Sequence, residues 1–329
     1  MRQGAWLTIL AAALVMADRA RAGADDLPTS ALAATNVPIL TPGDADKLAA
    51  LGSTAEGSPL LASDLGDETV YAPPPPLSEG QGINTGAAQF SINFDYLNRY
   101  VYRGVNHDSV ASNAKSLNLL FEGRLEFDTG QYPHPFVGLF TNIYDSDPIS
   151  RFQEIRPYAG LDWNLRPFRV EAWDVEYIFP QREQFNLPEV DLKISLDDSL
   201  LFNTEDPILS PYVLGAYDYH KNNGTYLEIG VKHDFVMEDW GLTLTPAAAV
   251  AWISGLQQQF IFIDTVKSTG WQHFEVGLTA KYSLNQLLNV SRRFGQFDVK
   301  GYLSYDDALN RKITASNVIW GGVGIGFTY

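Results

Sequence analysis

The chain has 329 residues, 45% hydrophobic and 19% charged, with 23 basic against 39 acidic side chains and no cysteine. That is too apolar for a disordered protein. The missing cysteines exclude disulfide scaffolds, thiolate metal sites, cysteine nucleophiles and a lipid-modified N-terminal Cys, and a net charge of −16 leaves no basic face for a nucleic-acid partner.

The first 22 residues read as a secretory signal peptide. Arg2 supplies the positive start, Ala5 to Ala17 is almost wholly apolar, and Ala20-Arg21-Ala22 is an A-x-A cleavage site. The apolar stretch is too short to span the ~30 Å of a bilayer core. No later run of 18 apolar residues follows, so no transmembrane helix is expected. Residues 23–87 are rich in Ala, Pro, Ser, Gly and Asp. They hold nine acids, one base (Lys47) and one aromatic (Tyr71), with an extended run at Pro73 to Pro76. Such a segment has nothing from which to build a core and reads as a flexible acidic periplasmic tail.

From Phe90 the texture changes to period-two alternation. Leu117, Leu119, Phe121, Leu125 and Phe127 interleave with Asn118, Glu122, Arg124 and Glu126; Phe274, Val276 and Leu278 interleave with His273, Glu275 and Thr279. Twelve strands are predicted, near 88–104, 115–128, 134–144, 154–165, 167–179, 189–198, 208–219, 225–236, 240–253, 270–283, 296–306 and 316–329. Ordinary strands run about 5–6 residues, whereas a tilted membrane-crossing strand needs about 9–11. Long strands in an even number predict an all-β transmembrane antiparallel barrel over 88–329, closed because lipid cannot satisfy an open backbone edge. With the N-terminus in the periplasm, the connections expected outside are mostly the longer ones, as in outer-membrane barrels. Leu284–Gly295 is an exception that suits a short helix. In 167–179 the apolar set shifts from Phe168, Val170 and Ala172 to Trp173, Val175 and Tyr177, which predicts a bulge.

The last strand gives the strongest signal. Ile319, Val323, Ile325, Phe327 and Tyr329 fall on one face, and Trp320, Gly322, Gly324, Gly326 and Thr328 on the other. A final amphipathic strand ending in an aromatic is similar to the signal read by the bacterial outer-membrane insertion machinery, which makes Phe327 and Tyr329 the candidate insertion signal. Near the start of the barrel, Phe94 to Val105, best at Tyr100-Val101-Tyr102-Arg103-Gly104-Val105, resembles the opening strand and exit loop of the TorF-type porin family. A weaker echo lies at Pro188-Glu189-Val190-Asp191-Leu192. The resemblance implies a porin-like outer-membrane protein and little about substrate.

Charges on strands must face the interior, since at mid-depth in lipid they cost about 2–4 kcal/mol each. The candidate pore-lining residues are Asp95, Glu122, Arg124, Glu126, Glu171, Asp191, Lys193, Glu228, Lys232, Glu275, Lys281, Asp298 and Lys300; Asp162, Asp174, Glu176, Asp218 and Arg169 are placed inward by the same alternation. Acids outnumber bases, which suits a cation-preferring aqueous path or a plugged lumen with paired charges. Eight strands leave no channel and sixteen a wide one, so twelve lies between.

The five histidines are His107, His134, His220, His233 and His273. His273 with Glu275 and Ser268 is the best triad-like grouping, and it is weak. No G-x-S-x-G, H-E-x-x-H or P-loop pattern occurs. Acidic pairs such as Asp197 with Asp198 and Asp306 with Asp307 read as solvated turns without EF-hand spacing. Tyr100, Tyr102, Tyr144, Trp173, Tyr177, Tyr217, Tyr219, Trp252, Trp271, Tyr305 and Trp320 read as interfacial girdles.

The sequence therefore predicts an outer-membrane porin-like channel for small hydrophilic solutes, without catalytic residues, cofactor or metal. Its expected partners are outer-membrane lipid, the insertion machinery and the solutes. The alternatives are a membrane-embedded lipid or acyl hydrolase using a rim histidine (His273 or His220) and a soluble secreted carbohydrate-binding β-sandwich.

Overall fold

The computed structural model describes residues 88–106, 117–145, 153–180, 186–204, 206–220, 223–257, 267–310, 313 and 317–329. The expected signal peptide and acidic tail, together with His107, lie outside the described residues.

Twelve strands make the wall: β1 (Ala88–Leu97), β2 (Leu117–Phe127), β3 (His134–Asp145), β4 (Gln153–Leu165), β5 (Phe168–Tyr177), β6 (Leu187–Leu196), β7 (Tyr212–Asp218), β8 (Gly224–Lys232), β9 (Leu242–Gln257), β10 (Lys267–Ser283), β11 (Gln296–Ala308) and β12 (Val318–Thr328). Each pairs antiparallel with its neighbours in sequence, and β1 pairs with β12, as in Phe94↔Ile325. The β8–β9 pairing, from Thr225↔Ser254 to Lys232↔Ala247, completes the ring. A closed ring leaves no unpaired strand edge, which is the condition for an all-β segment to sit in hydrocarbon. Closure into one barrel overturns the β-sandwich alternative. Phe235–Met237 pairs with the start of β9 as a short extra strand, so the strand expected over 225–236 is broken after Lys232.

Side-chain direction follows from the pleat. On β12, Ile319, Val323 and Ile325 are 61%, 59% and 55% exposed, while Trp320 between them is 1% exposed and packs inside. The same division puts Phe94, Leu119, Val137, Leu161, Val190, Ile229, Leu278 and Leu303 on the outer surface. A soluble protein does not cover itself with a continuous apolar belt, and these residues give the wall a surface that matches lipid. The inner face of β12 is Gly322, Gly324 and Gly326. A Cβ at Gly324 would lie 1.7 Å from Asp95 Oδ1, so glycine leaves the room in which Asp95 reaches Lys300, 3.3 Å away.

Three expectations change. First, β1 ends at Leu97 rather than near 104. The Asn98 backbone N–H donates to Gly321 O, and the Gly321 N–H donates to Asn98 Oδ1, both at 3.0 Å. The chain then turns inward instead of continuing the wall. Second, β5 carries no bulge. Its register with β4 and β6 is continuous, and Trp173, Val175 and Tyr177 point inward beside Glu171 while Asp174 and Glu176 are exposed outside. The apolar set changes sides because this end of the wall lies beyond the apolar belt: its interior is filled and its exterior carries charge. Third, Tyr100, Tyr102, Trp173, Tyr177 and Trp320 are interior side chains rather than parts of a girdle, whereas Tyr217, Tyr219, Trp271 and Tyr305 do face out. The short helix suited to 284–295 is present at Leu284–Leu288, and a second one occupies Ser199–Phe202.

Candidate functional site

The interior has two parts, set by what the inward positions carry. Toward the end with the short turns it is polar and partly accessible. Arg124 Nη2 donates to Glu126 at 2.7 Å and Arg124 Nη1 to Glu171 at 3.2 Å. Arg169 Nη2 reaches Asp162 at 2.7 Å and Glu171 at 3.3 Å. Tyr158 Oη donates to Glu122 at 3.0 Å. Cross-strand neighbours on one face meet in this way, and the register explains it: Asp162 pairs with Glu171, and Glu171 with Lys193. The arginines keep 18–24% of their side-chain surface exposed, so water reaches them.

The other half is filled with buried side chains. After Asn98 the chain enters the barrel, and Val101–Tyr102 pairs with Val105–Asn106 as a miniature hairpin. Tyr100 to Asn106 are all buried. Arg103, at the tip, has a positive φ of 44° and Gly104 one of 71°. Arg103 grips Glu189 of β6 with both terminal nitrogens, Nη1 to Oε2 at 3.0 Å and Nη2 to Oε1. Its guanidinium also lies over the rings of Tyr226 and Tyr102, 4.4 and 5.0 Å from their centroids. A fork of this kind matches a carboxylate in two bonds, which a lysine cannot do. Tyr102 and Tyr177 share a hydroxyl contact of 3.1 Å, and Tyr177 Oη donates to Glu189 at 3.3 Å. At the base of the hairpin, Tyr100 Oη donates to Glu154 at 3.1 Å and accepts from Arg156 Nη2 at 2.8 Å. Arg156 is also bonded to Glu154 through Nε and stands over the rings of Tyr177 and Tyr102.

Across the lumen Glu228 accepts from the hydroxyls of Tyr212, at 2.7 Å, and Tyr226. Beside it lie His273 and Glu275 of β10 and Asp306 of β11, all fully or nearly fully buried. The alternation that turns Glu275 inward also turns His273 inward, and a bulge follows directly beside it. Ala251 pairs with His273 and Trp252 with Trp271, so Gln272 is an extra residue, and both Gln272 and His273 are buried inside. The ring of Tyr226 stacks on His273, centroids 6.4 Å apart at 21°. Gly104 of the hairpin approaches so closely that a Cβ there would lie 2.3 Å from His273 Cγ.

All thirteen candidate pore-lining residues stand on the inner face, but not in one environment. Arg124, Glu126, Glu122 and Lys281 are partly exposed; Glu171, Asp191, Lys193, Glu228, Lys232, Glu275 and Lys300 are buried, with Asp298 and Asp95 near the boundary. Asp174 and Glu176 do not join them. His273 is an interior group, not a rim histidine, and the Ser268 side chain lies outside what is described. Asp198 and Asp306, expected in solvated turns, are buried: Asp198 accepts the backbone N–H groups of Ile208 and Leu209 at 2.8 Å each, and Asp306 accepts from Trp320 Nε1 at 2.6 Å. The inner hairpin was missed by sequence reasoning. Its signal is Asn98-Arg99, two polar residues that break the alternation before an aromatic-rich stretch ending in Arg-Gly.

A closed ring of twelve antiparallel strands, apolar outside and charged within, defines the class as a membrane-spanning type of β-barrel. No family model matches the chain and no curated protein matches it, so the TorF-type likeness stands only on Phe94 to Val105 and the weaker echo at Pro188 to Leu192. Solved structures of similar shape include the KdgM porin in complex with disordered oligogalacturonate (11% identity, 73% of this chain and 99% of that one, TM-score 0.41). The COG4313 outer membrane channel from Pseudomonas putida F1 is 10% identical over 74% of this chain and 95% of that one, TM-score 0.44. LpxR from Salmonella typhimurium is 13% identical over 72% and 99%, TM-score 0.37. These likenesses are remote and concern shape; the chain's own residues carry the functional reading.

Proposed function

We propose that the chain is a porin-like channel of the bacterial outer membrane for small hydrophilic solutes, closed by its inner hairpin and opened when that hairpin leaves the lumen. The observation that carries this reading is the pairing of an apolar outer belt with an inner wall of acidic and basic side chains, against which the inner hairpin, Tyr100 to Asn106, packs as a buried insert. A plugged lumen whose inner charges only pair with one another is the competing reading, and conductance separates the two. With the hairpin withdrawn, Glu189, Glu154 and the wall carboxylates line the path, and their excess over the bases favours cations. Sieving by lumen width and filtering by these carboxylates need no covalent chemistry or cofactor. Export by residues 1–22 and the terminal Phe327 and Tyr329 fit delivery to the outer membrane by its insertion machinery.

The hydrolase alternative gains nothing at His273, which is fully buried beneath the hairpin and has no hydroxyl as hydrogen-bond partner among the described residues. The test is conductance of the purified full chain in a planar bilayer, with the reversal potential in a salt gradient. Brief openings with cation selectivity are expected, lengthened when residues 99–106 are replaced by a short Gly-Ser linker. Silence of both proteins would refute a channel, and anion selectivity would refute the carboxylate filter.

A further inference from the structure

The group formed by His273, Glu275 and Asp306 does not satisfy itself. Both ring nitrogens of His273 are buried and have no hydrogen-bond partner among the described residues, and the same holds of Asp306 Oδ1. His273 Nε2 and Asp306 Oδ1 face each other at 4.0 Å. One ligand atom from each of the three residues lies within 4.8 Å of the others. An imidazole always carries at least one N–H, and burying polar groups with no partner costs roughly 1–3 kcal/mol apiece. Among the described residues, buried carboxylates outnumber buried Lys and Arg side chains eleven to five.

The rest of the surroundings holds the three groups in place. Trp320 Nε1 fixes Asp306 through Oδ2 and leaves Oδ1 directed at His273. Tyr226 packs on one side of the imidazole, and Gly104 closes in beside Cγ and Nδ1, so Nε2 is the nitrogen left for the carboxylates. The bulge at Gln272 turns that side chain inward next to His273 and sends Trp271 outward, and bulges are common where a side chain must be re-aimed.

We propose that His273 Nε2, Glu275 and Asp306 bind one divalent transition-metal cation of the zinc type inside the barrel. One imidazole and two carboxylates are ligands that such ions take at about 2.0–2.2 Å. Ligand atoms in a tetrahedral shell then stand roughly 3.4 Å apart, so the three close on the ion with shifts of side chains alone. The cation neutralises two buried carboxylates, supplies the imidazole with its missing partner, and ties β10 to β11 directly behind the hairpin. The proposal does not depend on the barrel conducting.

The full chain is refolded in detergent with Zn2+ or with a chelator, and folding is checked by the mobility of the unheated protein on a denaturing gel. One tightly held zinc per barrel is expected, with a higher urea midpoint than the chelated protein. The Co2+-loaded protein is expected to show an X-ray absorption shell of one imidazole and oxygen donors. His273→Gln and Asp306→Asn are each expected to weaken binding at least tenfold, whereas Glu176→Gln, on the outer surface, leaves it unchanged. Zinc retained well below one per barrel, a shell without imidazole, or equal affinity in the folded His273→Gln protein would overturn the site. Should the variants not fold, stoichiometry and the absorption shell of the unaltered chain decide.

Discussion

Replacing Arg103 with Ala is expected to open the channel. The guanidinium is the only group that the inner hairpin extends to Glu189 in two parallel bonds, and Glu189 is 3% exposed. Removing one partner of a buried ion pair costs about 3–5 kcal/mol, because the other charge is left buried and alone. Tyr177 Oη still donates to Glu189, which sets the effect at the lower end, about 3 kcal/mol. That penalty exists only while the hairpin keeps water out, so it weighs against the closed state and not the open one. At 1.4 kcal/mol per factor of ten, the open-to-closed ratio rises by about a hundredfold. The assay is single-channel recording at fixed salt and voltage, with open probability as the readout. A paired control uses Arg103→Met with Glu189→Leu. Replacing both members of a buried pair by apolar side chains is often neutral or stabilising, so the double variant is expected to remain mostly closed. An open probability for Arg103→Ala equal to that of the unaltered protein, or a double variant as open as the single one, would refute the view that this ion pair holds the hairpin.

Gly104→Ala adds a methyl against the His273 ring at a residue with φ of 71°. The left-handed backbone alone costs an L-residue about 1–2 kcal/mol, so this variant is also expected to open more often in the same recordings, with the barrel intact by gel mobility. Gly324→Ala places a methyl on the Asp95 carboxylate; overpacking of this kind costs about 1–3 kcal/mol, and a lower urea midpoint in lipid vesicles is the check. Leu303→Arg, at a residue 59% exposed on the outer belt, is expected to lower unfolding stability in vesicles by about 2–4 kcal/mol. Glu176→Arg, outward and nearer the strand end, where it pairs with Pro188, is expected to change it by less than about 1 kcal/mol, since the charge stays in water.

The wall was legible in the sequence because a barrel strand must alternate at every residue. Leu117 to Phe127 and Val318 to Thr328 show most of that alternation, broken by inward Leu120, Val318 and Trp320, and apart from the early end of β1 most strand bounds fall within a few residues of those expected. The outer end of β5 misled for a physical reason: Trp173, Val175 and Tyr177 are apolar because they pack on the hairpin and its neighbours, not because they meet lipid. One-dimensional alternation reports two different faces and cannot say which is oil. The hairpin itself was illegible because nothing local marks Tyr100 to Asn106 as entering the barrel; its partners Glu154, Tyr177, Glu189 and Tyr226 are 54 to 123 positions away along the chain. The His273 group was half visible. Its alternation with Glu275 was read correctly, but Asp306 joins only through the β10–β11 register, Glu275↔Asp306, and Gln272-His273 hides a bulge as two consecutive polar residues.

The central claim, that alternate residues of one closed wall meet lipid and a polar interior, is open to direct measurement because the chain has no cysteine of its own. Single cysteines introduced in turn from Gly301 to Tyr305 and from Ile319 to Val323 carry nitroxide labels in lipid vesicles, and collisions with oxygen are compared with those of a water-soluble nickel chelate. Labels at Leu303, Tyr305, Ile319 and Val323 are expected to be oxygen-accessible, and those at Ser304, Trp320 and Gly322 protected from oxygen, with a period of two. Uniform exposure to the nickel chelate along both strands, or a helical period, would contradict the barrel and everything built on it.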